Sequence, residues 1–159
     1  YADPMLIANA LDYLKSTQNP DGGWGFYQGD DSNVYMTAMV MQSLIAYKGI
    51  FNIEDSINKA ASYLLTKQNI DGSFGEGAVY ETALSFIALI ESGVSIQQSA
   101  VSIQNAISYI TSTQIPNGSW DDDPYSTALI KTIDKGRMAV YNGCNNQAAL
   151  ITPHHGGLG

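Results

Sequence analysis

The stretch ALDYLKSTQNPDGGW at residues 10–24 decides the fold of this chain, because it occurs three times. The second copy is AASYLLTKQNIDGSF at residues 60–74, and the third is AISYITSTQIPNGSW at residues 106–120. All three copies keep one spacing of alanine, tyrosine, glutamine, glycine and aromatic residue, and the glutamines are 50 and then 46 positions apart. Such a pattern at this period indicates a repeat architecture, in which each unit is one supersecondary element.

Each repeat is predicted to contain two helices joined by a glycine turn. In the first repeat, apolar residues recur at helical spacing until Pro20 and Gly22 end the helix. A second helix is predicted over residues 33–48, and Gly49 stands where a C-terminal cap belongs. We therefore predict an all-α fold of three helical hairpins over residues 1–133. The three repeats are assigned to residues 3–49, 50–93 and 94–133.

A second signature marks the later helix of each repeat. A Thr-Ala pair follows a tyrosine by two residues, and the three pairs are 45 positions apart. The pairs are Thr37-Ala38, Thr82-Ala83 and Thr127-Ala128, after Tyr35, Tyr80 and Tyr125. The repeat is thus supported in both of its helices.

Composition restricts the class of protein. The chain has 159 residues with 45% hydrophobic and 14% charged, which is enough apolar material for one substantial core. Fifteen acidic against seven basic residues give a formal net charge of −8, which argues against nucleic acid or an anionic membrane face as a partner. No apolar run approaches the roughly 20 residues of a membrane span.

The start at Tyr1, without an initiator methionine, leads us to expect an excised domain or a processed product.

The repeated phrase resembles the QW motif of the terpenoid cyclase and protein prenyltransferase superfamily, and the chain is most similar to prenyltransferase/squalene-oxidase repeat proteins. The resemblance implies an α/α toroid, with inner helices around a cavity and outer helices around them. Six hairpins close that ring, so three imply about half of it. The resemblance also implies that the glutamine and aromatic residues tie adjacent repeats together. These structural motif residues are Gln18, Trp24, Gln68, Phe74, Gln114 and Trp120.

The catalytic motifs of that superfamily are not reproduced in the repeats. Terpene cyclases of this kind protonate an alkene with an Asp-x-Asp-Asp-Thr-Ala motif, but only Glu81 supplies an acid that we match to it here. The acidic run 121–123 lies in a glycine turn and suits the N-terminus of a helix. Prenyltransferases hold zinc with aspartate, cysteine and histidine, and no cysteine lies near the Thr-Ala pairs. We therefore predict no catalytic residue, no metal site and no cofactor.

Residues 134–159 lose the repeat pattern, and the sequence leaves open a native closing segment, a linker or non-native sequence. This irregular tail holds Cys144, His154 and His155, which we do not assign to a zinc site. Gly143 to Gln147 is similar to the Gly-Cys-x-Glu-Gln motif of thioester domains, which share the toroid. A thioester between Cys144 and Gln147 is the most remote of the functional interpretations, because Asn146 replaces the glutamate.

The sequence favours a non-catalytic binding module of a larger bacterial surface or secreted protein. The alternative is a fragment of a terpene cyclase-like or prenyltransferase-like enzyme whose catalytic residues lie outside this chain. The expected partners are other repeats of the same protein or a second copy of the chain, and an apolar small molecule or a protein on the inner face. An extracytoplasmic or cell-surface location is implied by the family resemblance alone. The candidate inner-face residues are Tyr35, Thr37, Tyr80, Glu81, Thr82, Tyr125 and Thr127.

Overall fold

The computed structural model describes residues 3–94 and 96–133, and of residues 96–99 it describes only the backbone. This part of the chain contains six helices and isolated bridges, with no extended strands. The predicted all-α fold of three helical hairpins is therefore confirmed. The helices are α1 (Pro4–Ser16), α2 (Val34–Ile45), α3 (Glu54–Thr66), α4 (Val79–Ser92), α5 (Ile96–Ser112) and α6 (Pro124–Ile133).

The predicted start and stop signals act as expected at most helix ends. The Asp3 carboxylate accepts a hydrogen bond from the Met5 N–H at 2.9 Å, and Pro4 occupies the first turn, where its missing donor costs nothing. Gly93 ends α4 with φ of 63°, a conformation that glycine adopts without strain. Helix α2 ends at Ile45, one turn before the predicted Lys48, so Gly49 lies beyond its cap.

The even-numbered helices form an inner row. Helix α2 packs on α4 and α4 packs on α6, while α3 and α5 lie against this row as outer helices. Helix α4 is at the centre, and eleven of its fourteen residues are buried. Its residues 83–90 are all apolar except Ser85, as expected for a helix that is covered on several sides.

Two of the three motif glutamines join neighbouring repeats. Gln18 donates its side-chain amide to the Gly22 carbonyl at 2.8 Å and to the Ser56 carbonyl of α3 at 2.9 Å. Gln68 donates in the same way to Gly72 at 3.1 Å and to Ser102 of α5 at 2.7 Å. One amide thus closes its own turn and also holds the next outer helix.

Motif tyrosines make a return contact at each junction. The Tyr63 hydroxyl of α3 donates to the Ser32 carbonyl at 2.8 Å, and the Tyr109 hydroxyl of α5 donates to the Gly77 carbonyl at 2.6 Å. Both acceptors lie in the turn of the preceding repeat. Each junction is therefore tied by a glutamine in one direction and by a tyrosine in the other.

The motif aromatics close their own hairpins. The Trp24 indole N–H donates to the Leu14 carbonyl at 2.8 Å, and the Trp120 indole donates to the Ile110 carbonyl at 2.7 Å. These carbonyls lie in the last turns of α1 and α5, where a helix leaves acceptors without partners. Phe74 has no donor at this position and is fully buried.

Candidate functional site

Three tyrosines from three repeats form a row on the inner helices. Tyr35, Tyr80 and Tyr125 lie in the first turns of α2, α4 and α6. The ring centroids of Tyr35 and Tyr80 are 5.9 Å apart, and those of Tyr80 and Tyr125 are 6.2 Å apart. These distances lie within the range in which aromatic pairs attract each other. The repeat therefore places equivalent side chains side by side.

The row forms one wall of a cleft of roughly 420 Å³. Aromatic rings and two carboxyl groups line it, and none of the described lining residues is a lysine or arginine. Burial raises the pKa of both Tyr80 and Tyr125, so their hydroxyls stay neutral at physiological pH. The lining residues are Phe26, Asn33, Tyr35, Tyr80, Glu81, Asp123 and Tyr125.

Glu81 is the buried carboxyl group of the cleft, with 5% of its surface exposed. Its Oε2 accepts a hydrogen bond from the Glu76 N–H at 3.1 Å and lies against Gly75, where a Cβ atom would come within 2.7 Å of it. Burial raises the pKa of Glu81, and the hydrogen bond from Glu76 opposes this only in part. Glu81 is therefore a weaker acid than an ordinary glutamate, whereas protonating an alkene requires a strong one.

Asp123 is the second carboxyl group of the cleft, and the sequence analysis did not single it out as a site residue. It caps α6, because Oδ2 accepts the Ser126 N–H at 2.8 Å and the Ser126 hydroxyl at 2.6 Å. The hydroxyl of Ser126, followed by backbone N–H groups, lowers the pKa of Asp123. It stands four residues before Thr127, which is the place of the first aspartate in Asp-x-Asp-Asp-Thr-Ala, so Glu81 is not the only acid that matches this motif. Asn33 stands at the same place before Thr37, and this register could have revealed Asp123.

The threonines of the Thr-Ala pairs do not face the cleft. Thr37 and Thr82 are fully buried, and their hydroxyl oxygens accept the backbone N–H groups of Trp24 and Phe74 at 3.0 Å each. Thr127 accepts the Trp120 N–H at 3.0 Å in the same way. A threonine at this position thus fastens the inner helix to the turn. We therefore remove all three threonines from the candidate ligand contacts.

Phe26 belongs to the cleft although the sequence analysis missed it. Its ring lies 6.3 Å from that of Tyr35 with an interplanar angle of 22°, so it extends the row of tyrosines by one ring. Phe26 stands in the turn of the first repeat, where Trp24 and Thr37 are 13 positions apart. The corresponding distances are 8 positions in the second repeat and 7 in the third. This longer turn was the signal that could have revealed Phe26.

Other expectations concern metals, membranes and the tail. Within residues 3–94 and 96–133, no three His, Cys, Asp or Glu side chains are grouped closely enough to bind a metal ion. None of the helices in that part of the chain is both long and apolar enough to cross a bilayer. The irregular tail, with the interpretations based on Cys144, Gln147, His154 and His155, lies outside the described residues.

Comparison of the sequence with known proteins identifies a related family and related enzymes. A family model described as the squalene-hopene cyclase C-terminal domain matches residues 2–150. A squalene–hopene cyclase of Bradyrhizobium diazoefficiens is 29% identical over 136 residues, which cover 76% of this chain and 20% of that protein. A lanosterol synthase of Pneumocystis carinii is 26% identical over 151 residues, with 85% of this chain and 20% of that protein covered.

A third relative is named for a different product, a diphosphate. The drimenyl diphosphate synthase of Streptomyces showdoensis is 27% identical over 136 residues, which cover 77% of this chain and 25% of that enzyme. The chain thus spans about a fifth to a quarter of the length of these relatives.

Proposed function

Because this chain belongs to the squalene-hopene cyclase C-terminal domain family, we propose that it forms part of the wall of an isoprenoid-binding cavity in a terpene cyclase-like protein. The family and the relatives favour the second interpretation of the sequence, a segment of a cyclase-like enzyme, over a binding module of a surface or secreted protein. The three hairpins are then a segment of an α/α toroid. Neighbouring repeats of the same protein, or a second copy of the chain, are the proposed protein partners.

The row of tyrosines is the observation that carries this proposal. Tyr35, Tyr80 and Tyr125 present ring surface along one side of a cleft to which the described residues contribute no basic side chain. Aromatic rings give a large apolar contact area at little cost in side-chain entropy, and a row of them suits an extended hydrocarbon. Ring faces also attract positive charge, which suits a cationic intermediate.

The role that we propose for this segment is binding, with proton donation assigned to residues elsewhere in the protein. Glu81 has a raised pKa and is the single acid among the four residues before Thr82. The carboxylate of Asp123 is occupied with capping α6. Protonating an alkene requires a carboxyl group that is both protonated and strongly acidic. The raised pKa makes Glu81 a weak acid, and the hydrogen bonds that Asp123 accepts favour its ionised form, which has no proton to give.

The experiment compares ligand binding by the protein that carries this chain with binding by its Tyr80→Ala variant. We expect the dissociation constants for squalene and for farnesol to rise about 10-fold, because the central ring of the row is lost. The matched control is Tyr13→Ala, since Tyr13 has 57% of its surface exposed and is not among the residues that line the cleft. Equal binding by the two variants, both folded by circular dichroism, would refute the proposal.

A further inference from the structure

The long turn of the first repeat carries a feature that the other repeats lack. Resting on the function proposed above, we propose that this turn is a specificity element for ligand length: it holds Phe26 as a fourth ring beyond Tyr35, where Phe26 contacts the uncharged end of a long isoprenoid chain. The site then extends one ring spacing, 6.3 Å, past the tyrosine row.

Hydrogen bonds hold the turn in place from two sides. The Asn19 side-chain amide donates to the Asp30 carbonyl at 2.9 Å and to the Ser32 hydroxyl at 3.0 Å. Across the turn, the Tyr27 N–H donates to Asp30 Oδ2 and the Asp30 N–H donates to the Tyr27 carbonyl, both at 3.1 Å. These hydrogen bonds therefore fix the backbone of the turn that carries Phe26.

Close packing restricts the turn further. A Cβ atom at Gly25 would lie 2.5 Å from the Cβ of Asp30, so only glycine allows the chain to pass there. Phe26 is the next residue, so the close contact between Gly25 and Asp30 also fixes where the ring of Phe26 lies. Asn19 and Gly25 are thus positioning residues for Phe26.

Phe26 is exposed although it stacks on the row. Its side chain keeps 59% of its surface in solvent while its ring lies nearly parallel to that of Tyr35. A large apolar ring in water lacks the free energy that burial would supply. A ligand that covers the ring removes this surface from water, and that free energy then contributes to binding. Tyr27, the next residue, is 80% exposed and is not among the residues that line the cleft. It therefore offers a matched control.

The charges of the turn select an uncharged ligand end. Asp30 and Asp31 stand in the same turn as Phe26, and Glu81 and Asp123 line the cleft beside it. Within residues 3–94 and 96–133, no lysine or arginine lines the cleft, so a diphosphate would meet negative charge without a counter-ion from this part of the chain. A neutral hydrocarbon end avoids that repulsion.

The test measures the dissociation constants of squalene, farnesol and farnesyl diphosphate for the wild-type protein and for Phe26→Ala. We expect Phe26→Ala to raise the dissociation constant of squalene about 3- to 10-fold and to leave that of the shorter farnesol unchanged. Asn19→Ala should raise the dissociation constant of squalene by less, again without affecting farnesol. Phe26→Tyr keeps an aromatic ring and should bind squalene as the wild-type protein does. Tyr27→Ala should change the dissociation constant of neither ligand.

Separate outcomes decide the two proposals. If Phe26→Ala behaves like Tyr27→Ala, or weakens both neutral ligands equally, the length role of Phe26 is overturned while the Tyr80→Ala result still supports the cavity wall. If farnesyl diphosphate binds more tightly than farnesol to the wild-type protein, the choice of an uncharged end is wrong. If Tyr80→Ala and Tyr13→Ala bind alike, the proposed function itself fails.

Discussion

At the scale of single residues, Gln68 joins two repeats with one side-chain amide. The change Gln68→Ala removes the hydrogen bonds to Gly72 and to Ser102, and it leaves both carbonyls without this donor. We expect the free energy of unfolding to fall by about 1–2 kcal/mol, with a lower melting temperature. Chemical denaturation of the wild-type protein and the variant measures the difference.

Gln114 offers a control for Gln68 within the same motif. Its amide donates to Gly118 at 2.9 Å, and this is its one side-chain hydrogen bond within the described residues. Gln114→Ala should therefore destabilise the protein less than Gln68→Ala. Equal losses would show that the bond to the next outer helix contributes nothing of its own.

Glu81 makes the stability of the fold depend on pH. Because burial raises its pKa above the ordinary value of 4.5, the folded protein holds this proton more tightly than the unfolded chain does. The contribution is fully present below pH 4.5 and is lost as the pH rises through the raised pKa. The glutamine of Glu81→Gln cannot ionise. We therefore expect this variant to become more stable relative to wild type as the pH rises from 4.5 through the raised pKa of Glu81. Denaturant titrations across the pH range would show a constant difference if the prediction is wrong.

At the scale of helices and turns, glycines set how closely one outer helix approaches the turn before it. Gly72 has φ of +93°, and a Cβ atom there would overlap the Asn105 carbonyl of α5. Gly118 has a similar φ of +86°, with none of the described atoms within 4 Å of that position. The same motif glycine thus faces a helix backbone in one repeat and open space in another.

This contrast predicts two different costs. Gly118→Ala should cost about 1–2 kcal/mol, the penalty for a side chain in the left-handed region. Gly72→Ala should cost clearly more, because α5 must also move away from the turn. Melting temperatures of the two variants measure the difference, and Gly49→Ala, with φ of +79° and open space around it, is the control for Gly118→Ala. Equal losses in all three variants would rule out the close approach at Gly72.

The sequence predicted the elements well because their signals are local. Periodic apolar residues, Pro4, Gly93 and the glycine turns act within a few positions, so six helices and three hairpins could be expected from the chain alone. The end of α2 was predicted one turn too late, because Gly49 marks where the chain turns and not where the helical hydrogen bonds stop.

At the scale of the whole molecule, the site was predicted only in part, because a repeat pattern marks equivalent positions without saying which way they face. Tyr35 and Thr37 recur with the same period, yet the ring lines the cleft and the hydroxyl fastens a buried turn. Asp123 and Phe26 enter the cleft by way of a helix cap and a long turn. The register of Asp123 before Thr127 and the longer turn around Phe26 are visible in the sequence, but only tertiary packing shows that both residues reach the cleft.

The third repeat carries an apolar cavity of about 350 Å³ whose lining includes Ile110, Trp120 and Ile130. Because an open apolar surface of this kind favours association, we expect it to be covered by a further repeat of the same polypeptide or by a second copy of the chain. Light scattering over a range of concentrations detects a second copy, and an apolar fluorescent dye reports exposed apolar surface. A monomer that does not bind the dye indicates cover from its own polypeptide, whereas a monomer that binds the dye at this cavity, and loses that binding in Ile110→Ser, would contradict the prediction.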